Sequence, residues 1–194
     1  MNPNFFVLDI ETKNTFFDVG GEKNIKHLDL SLACVYSYAS DKFLSFWENE
    51  ISDLGDLLKK SSLIVGFGIN RFDLPVLEKY FKFNLKSLRR IDLLDEIEMT
   101  LGRRWSLDSL ARANLGVGKT HHSGLEAIRL WNEKKLGELE EYCLNDVKIT
   151  RDIFELAKLR GYLYLPENFS THLSKIELDF TNVITEASNE KTLF

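Results

Sequence analysis

No apolar run in the sequence approaches the roughly 20 residues that a membrane-spanning helix needs. Nothing near the N-terminus joins a basic stretch to an apolar core and a small-residue cleavage site. Neither a membrane partner nor a secretory leader is therefore expected. Cysteine is scarce. Cys34 and Cys143 are the only two, and their spacing fits no thiolate metal site, so they read as reduced thiols of a cytoplasmic protein. Internal repeats and low-complexity linkers are also missing. The 194 residues then suit one domain, placed at 1–165, followed by a tail over 166–194 whose structure the pattern leaves open. An excess of positive charge is lacking too. A formal net charge of −5 argues against a surface that coats nucleic acid nonspecifically. It leaves room for a local basic groove, and cations do cluster in "KSLRR" (86–90), "GRRW" (102–105) and "GKTHH" (118–122).

What is present is core material and strand-forming pattern. Fourteen Phe, six Tyr and three Trp within a 44% apolar composition suit a globular chain. Residues 4–10 read as a first strand and 14–26 as a loop turned by Gly20 and Gly21. "HLDLSLACVYSYA" (27–39) and "KFLSFWE" (42–48) read as a hairpin around the break "SDK". "ISDLGDLLKKS" carries Leu54, Leu57 and Leu58 at helical spacing. The continuous apolar run "SLIVGFGI" (62–69) predicts a strand buried on both faces. Pro75 suits the first turn of a helix with Asp73 placed to cap it. Another short strand ends near Asp92, itself read as a helix cap. Ser106 and Gly116 bound a further helix, "GLEAIRLWNEK" forms the next, and a long helix runs from about 136 to 160. This order predicts an α/β fold: a mixed sheet of five to six strands with an antiparallel N-terminal hairpin and helices on both faces. Sites in such sheets form beyond the carboxyl ends of the parallel strands.

"FFVLDIETK" (5–13) puts acids at that end. Strand geometry places Val7, Asp9 and Glu11 on one face and Phe6, Leu8 and Ile10 on the other. The two carboxylates stand about 7 Å apart at Cα and repel unless a cation lies between them, although an isolated D-x-E also suits a strand end fraying into solvent. Asp73 follows the buried strand; capping a helix and facing a metal are compatible duties. Asp146 sits mid-helix beside an apolar stripe of Leu139, Cys143, Val147 and Ile153. Tyr142 lies four residues earlier on the same face. Carboxylates without a Cys/His cluster are hard oxygen ligands, suited to Mg²⁺ or Mn²⁺ rather than Zn²⁺.

In their order along the chain, "LDIET" with Asp9 and Glu11, "NRFD" with Asn70, Phe72 and Asp73, and "YCLND" with Tyr142 and Asp146 resemble the DEDD exonucleases of the ribonuclease H-like fold, in their tyrosine branch. The histidine branch has His five residues before the last Asp, where this chain has Glu141. The resemblance covers residues 5–160. "RRIDLL", "WSLDSLARANLG" and "YCLNDVKIT" are also similar to bacterial domains of this type that occur alone or fused to helicases. The resemblance implies a monomeric 3′→5′ exonuclease acting on single-stranded or end-frayed DNA or RNA, with a helicase as one kind of partner. It implies two Mg²⁺ or Mn²⁺ ions, with Asp9 bridging them, Glu11 and Asp146 on the ion that carries the attacking water, Asp73 supporting the other, and Tyr142 orienting that water. Asn70 and Phe72 would touch the terminal nucleotides, with core packing the alternative for Phe72. Lys119, His121, His122 and the arginine pairs are candidate phosphate contacts. Two other readings stand beside this one: an endonuclease of the same fold, and an inactive nucleic-acid-binding or helicase accessory module.

Overall fold

The first strand alternates as its sequence requires. In the computed structural model, which describes residues 4–117, 124–166 and 173–189, β1 spans Phe5–Thr12. Phe5 and Val7 enter one core, while Phe6, Leu8 and Ile10 enter a second core on the opposite face. β1 is the centre of a five-stranded sheet in the order β3-β2-β1-β4-β5. β2 (Leu30–Ser37) and β3 (Lys42–Trp47) form the expected hairpin, and β2 runs antiparallel to β1. β4 (Leu63–Gly66) and β5 (Arg90–Asp92) add in parallel on the other side.

Helices cover both faces. On one side lie α1 (Ile51–Lys59) and α2 (Asp73–Leu77), which bury Leu54, Leu58, Leu74, Val76 and Leu77 against Leu8 and Ile64. On the other lie α3 (Leu93–Leu101), α4 (Leu107–Leu115), α5 (Gly124–Asn132) and the 25-residue α6 (Leu136–Arg160). The expected stripe of α6 is the buried one: Leu139, Cys143, Val147 and Ile153 all face the core. Residues beyond the long helix join that same core. β6 (Tyr162–Pro166) pairs antiparallel with β7 (Leu173–Glu177), and α7 (Thr181–Asn189) follows. Leu163, Ile176, Phe180 and Ala187 pack with Phe154 of α6.

Four local expectations need correction. β1 continues past Ile10 to Thr12, because Glu11 still pairs with Leu32 of β2. Glu11 is therefore a buried strand residue, 8% exposed, and not a fraying end. The register then slips by one between Glu11 and Thr12, a bulge of the kind that re-aims side chains near strand ends. The run 62–69 is a strand only as far as Gly66. Gly68 adopts φ +82, a backbone that glycine enters at little cost, and the chain folds back on itself there. Finally, Asp73 does not cap α2. It lies within the first turn, and the cap position is Phe72, with no side-chain bond. Asp92 does cap α3, accepting from Leu94 N–H and Asp95 N–H. Residues 22–27, read as loop, contain a short 3₁₀ helix.

Gly66 is where the chain must approach itself closely. A Cβ there would stand 2.1 Å from Ile69 Cγ2 and 3.1 Å from Leu8 O. Ile69 is fully buried and cannot swing away. Gly66→Ala is therefore expected to destabilise the fold by about 1–3 kcal/mol, the usual cost of overpacking. A urea titration should show a lower midpoint with an unchanged slope. A midpoint equal to that of the parent would mean that the fold-back is looser than described.

Candidate metal centre

The acids gather where β1 outruns its parallel neighbour. Pairing of β1 with β4 ends at Val7, so Asp9, Ile10 and Glu11 project past the end of β4. On the face toward α6, Asp9 and Glu11 meet Asp146. One carboxylate oxygen from each of these three residues lies within 4.8 Å of the others. Glu11 and Asp146 are buried, while Asp9 is partly exposed. The i, i+4 spacing on α6 brings Tyr142 alongside Asp146, and its ring is buried. Burial, and then the negative charge of Glu11, Asp146 and Asp9, push the Tyr142 phenol far above its ordinary range. At neutral pH it is an O–H donor.

Asp73 arrives from the other side of the sheet edge. Its Oδ1 accepts the Ile10 N–H at 3.0 Å, taking the place of the strand partner that β4 no longer supplies. Asp73 stands outside the mutual set of three, yet Asp9 acts on it directly. Burial first, and repulsion from Asp9 second, raise its carboxyl well above the usual carboxylate range. The loop that delivers Asp73 is held by Asp92. The Asp92 carboxylate accepts from Gly68 N–H at 2.7 Å and Asn70 N–H at 2.8 Å, as well as from the start of α3.

The other expected contact residues are distributed unevenly. Asn70 turns away from the acids: its amide donates to Asp95 Oδ2 at 2.7 Å and accepts from Arg90 Nε. It borders a different hollow, shared with Leu74, Glu78 and Lys86, so its side chain serves the loop and not the cleft at the acids. Phe72 does reach that cleft. It is partly buried against the core that holds Leu8, and the ring meets Phe16 edge-on at 6.0 Å. Lys119, His121 and His122 lie outside the described residues.

The cleft has a volume of about 360 Å³ and is walled by Glu11, Thr12, Phe16, Phe72, Ile128, Tyr142 and Asp146, among others. Phe16, Leu28, Leu125 and Ile128 were not foreseen from spacing. One local signal existed in "TFFD": Thr15 N–H and Oγ1 donate to Asp18 Oδ2 at 2.7 and 2.8 Å, a T-x-x-D turn of the capping-box type. That turn fixes the loop which presents Phe16.

The donor set fits a hard divalent cation. Three carboxylates converge, and the sulfur that touches Asp9 is a poor ligand in its present state. Cys143 Sγ lies 3.6 Å from both Asp9 Oδ2 and Asp9 O. Burial and the neighbouring Cys34 push its thiol up, so it remains protonated. Oxygen donors alone favour Mg²⁺ or Mn²⁺ over Zn²⁺.

Comparison with known proteins agrees with this architecture. Residues 6–158 match the family model of the RNase_H superfamily. The fold is similar to that of the family B DNA polymerase from the hyperthermophilic archaeon Pyrobaculum calidifontis, at TM-score 0.62 and 19% identity, over 81% of this chain and 25% of the polymerase. It is also similar to Trypanosoma brucei RNase D, at TM-score 0.59 and 19% identity, over 79% of this chain and 57% of RNase D. This chain thus spans about a quarter of the first and somewhat over half of the second. At such identities the likeness concerns the fold. No curated protein is similar enough in sequence to match. The expected mixed sheet, five-stranded with its antiparallel hairpin, is the ribonuclease H-like one.

The raised Asp73 carboxyl has a consequence for stability in the absence of metal. A carboxyl whose folded pKa exceeds its unfolded value of about 3.9 binds more protons in the folded state. Its contribution is full below about 3.9 and is lost as pH rises through the elevated folded value. Asp73→Asn keeps an oxygen for Ile10 N–H and cannot ionise. In EDTA, this variant should melt higher than the parent at pH 7.5, and the gap should shrink toward pH 4. A gap that widened on acidification would contradict the assignment.

Proposed function

The chain belongs to the RNase H superfamily, and from that premise we propose that it is a metal-dependent 3′→5′ exonuclease acting on a single-stranded or frayed DNA or RNA end. The observation that carries this reading is the meeting of Asp9, Glu11 and Asp146 within 4.8 Å at the mouth of a cleft large enough for a nucleoside. Mutually repelling acids at a cleft suit a site for cations and serve no purpose in a bare binding module. Asp9, Glu11 and Asp146 would hold Mg²⁺ or Mn²⁺, two ions in all, with Asp73 completing the set. Bound there, the ions would supply charge neutralisation for the phosphodiester and a more acidic water.

The chain's own residues do the rest. Tyr142, held neutral by burial and by the acids, donates its O–H to orient the attacking water; it is too weak an acid to act as the base at neutral pH. Phe16 and Phe72 form the apolar wall against which the terminal base rests. Lys119 and His122 are proposed phosphate contacts. The 3′→5′ direction rests on the spacing of Tyr142 and Asp146, which is that of the tyrosine branch. The RNase D likeness favours including RNA among the substrates tested. A monomeric, cytoplasmic enzyme is part of this proposal, with a helicase as the kind of partner that such domains accompany.

On end-labelled single strands with Mn²⁺, the parent should release mononucleotides from the 3′ end. Asp9→Asn should show no cleavage and no Mn²⁺-dependent rise in melting temperature. Tyr142→Phe should keep its packing and its metal response while single-turnover cleavage slows about 10²–10⁴-fold, the range for orienting and proton-handling groups. Full activity of Asp9→Asn, or cuts inside a circular strand, would overturn the reading. Parental rates in Tyr142→Phe would remove the tyrosine from the mechanism.

A further inference from the structure

The fold treats its three tryptophans differently. Trp105 is 9% exposed, and its indole N–H donates to Pro166 O at 3.1 Å. Trp47 and Trp131 are half-buried, and neither indole N–H meets a protein acceptor among the described residues. Their ring centres lie 6.4 Å apart with the planes tilted by 34°. Two ammonium groups lie over the Trp131 ring: Lys13 Nζ at 4.9 Å and Lys134 Nζ at 5.0 Å from its centre. Lys13 also pairs with Glu48. Lys134 is exposed and forms no ion pair among the described residues.

This group continues the surface of the cleft. Trp47 pairs with Leu32, and Leu32 pairs with Glu11. Directly opposed residues project from one face of a sheet, so Trp47 stands on the same face as Glu11, two strands or about 10 Å away. On α5, Leu125 and Ile128 wall the cleft, and Trp131 follows Ile128 by three residues on the same side of the helix. Lys13 comes two residues after Glu11. A path along the surface thus leads from the acids to indole faces flanked by ammonium groups. Lys134 is exposed and can swing off the ring to admit a stacked base, and its ammonium then suits the adjoining phosphate. That combination holds single strands without reading their sequence.

We propose that Trp131, Trp47, Lys13 and Lys134 form a second contact for a single-stranded nucleic acid, holding nucleotides internal to the one seated in the cleft. The proposal rests on the nuclease reading of the site, and its test separates the two. Binding is measured by anisotropy of a labelled thymidine octanucleotide, in an Asp146→Asn background that does not cleave, with thymidine 5′-monophosphate as the short probe. Trp131→Leu keeps an apolar side chain over the core and removes the stacking face. It should weaken the octanucleotide about tenfold, within the range for loss of one base–aromatic stack, and leave the mononucleotide unchanged. Lys134→Gly covers the case in which Trp131→Leu folds poorly. Lys134 holds φ 61, a backbone that glycine adopts more readily, so this variant should melt no lower than its parent. It should bind the octanucleotide more weakly, with a salt dependence shallower by about 0.7 in log–log slope, as expected for one lost phosphate contact on a single strand.

Octanucleotide binding unchanged in both variants would overturn the second contact while leaving the nuclease reading intact. Equal losses for octanucleotide and mononucleotide would also overturn it, by placing the effect in the cleft. A blunt duplex bound as tightly as the octanucleotide, and as sensitive to Trp131→Leu, would overturn the single-strand assignment. A parent that binds no oligonucleotide at all would defeat the nuclease reading itself.

Discussion

The bond from Ile10 N–H to Asp73 Oδ1 ties together the two segments that the site needs at one point. β1 passes beyond the end of β4, and its outer edge there would otherwise present an unpaired buried donor, at a cost of about 1–3 kcal/mol. A carboxylate fills that gap instead of another strand. The loop after β4 can deliver it because Gly66 lets Ile69 fold back and because Asp92 gathers the loop's N–H groups. The same residues thus finish the sheet edge and bring a fourth acid toward the other three. A strand partner in that place would have satisfied the backbone equally well and closed off the carboxyl end of β1.

Gathering acids works against the fold that gathers them. Burial and repulsion drive the Asp73 carboxyl and the Tyr142 phenol in the same direction, toward their neutral forms. Neutral Tyr142 is useful as a donor. A neutral Asp73 would serve the proposed metal site less well, because a cation bound there would need its charge. A divalent cation would reverse the balance at Asp73, and anything that binds only the folded state adds stability by mass action. The metal-free protein therefore carries a local penalty that its two cores must absorb. Those cores are well suited to it. α6 lies over the central strands, and its buried stripe from Leu139 to Phe154 holds Tyr142 and Asp146 on a rigid element.

The walls of the cleft come from segments with no strong periodicity. Phe16 sits on a loop fixed by the Thr15–Asp18 turn and by Asn14, which accepts from Asp29 N–H. Phe72 is set by the first turn of α2. Leu125 and Ile128 come from α5, whose far end carries Trp131 beside Trp47. Short elements from different parts of the chain thus border a site whose charged floor comes from one strand and one helix.

The repeating pattern of the sequence determined much by itself. Alternation in "FFVLDIET" assigns Asp9 and Glu11 to one face of β1, and helical spacing assigns Tyr142 and Asp146 to one side of α6. These relations are local, because backbone geometry alone sets which side chains share a face. The alternation of apolar strands and amphipathic helices likewise suffices for a mixed sheet covered on both sides. Tertiary structure decided the rest. Glu11 is buried because Leu32 pairs with it across the sheet. Asp73 serves the edge of β1, 63 residues away, instead of its own helix. Asn70, in the same short motif, is drawn off by Arg90 and Asp95. β7 and α7 join the core that holds Phe154, although their own pattern announces no partner. In each case two groups distant in sequence compete for the same hydrogen bond or the same patch of core. The winner depends on which distance the packed chain makes short, and spacing along the chain carries no record of that.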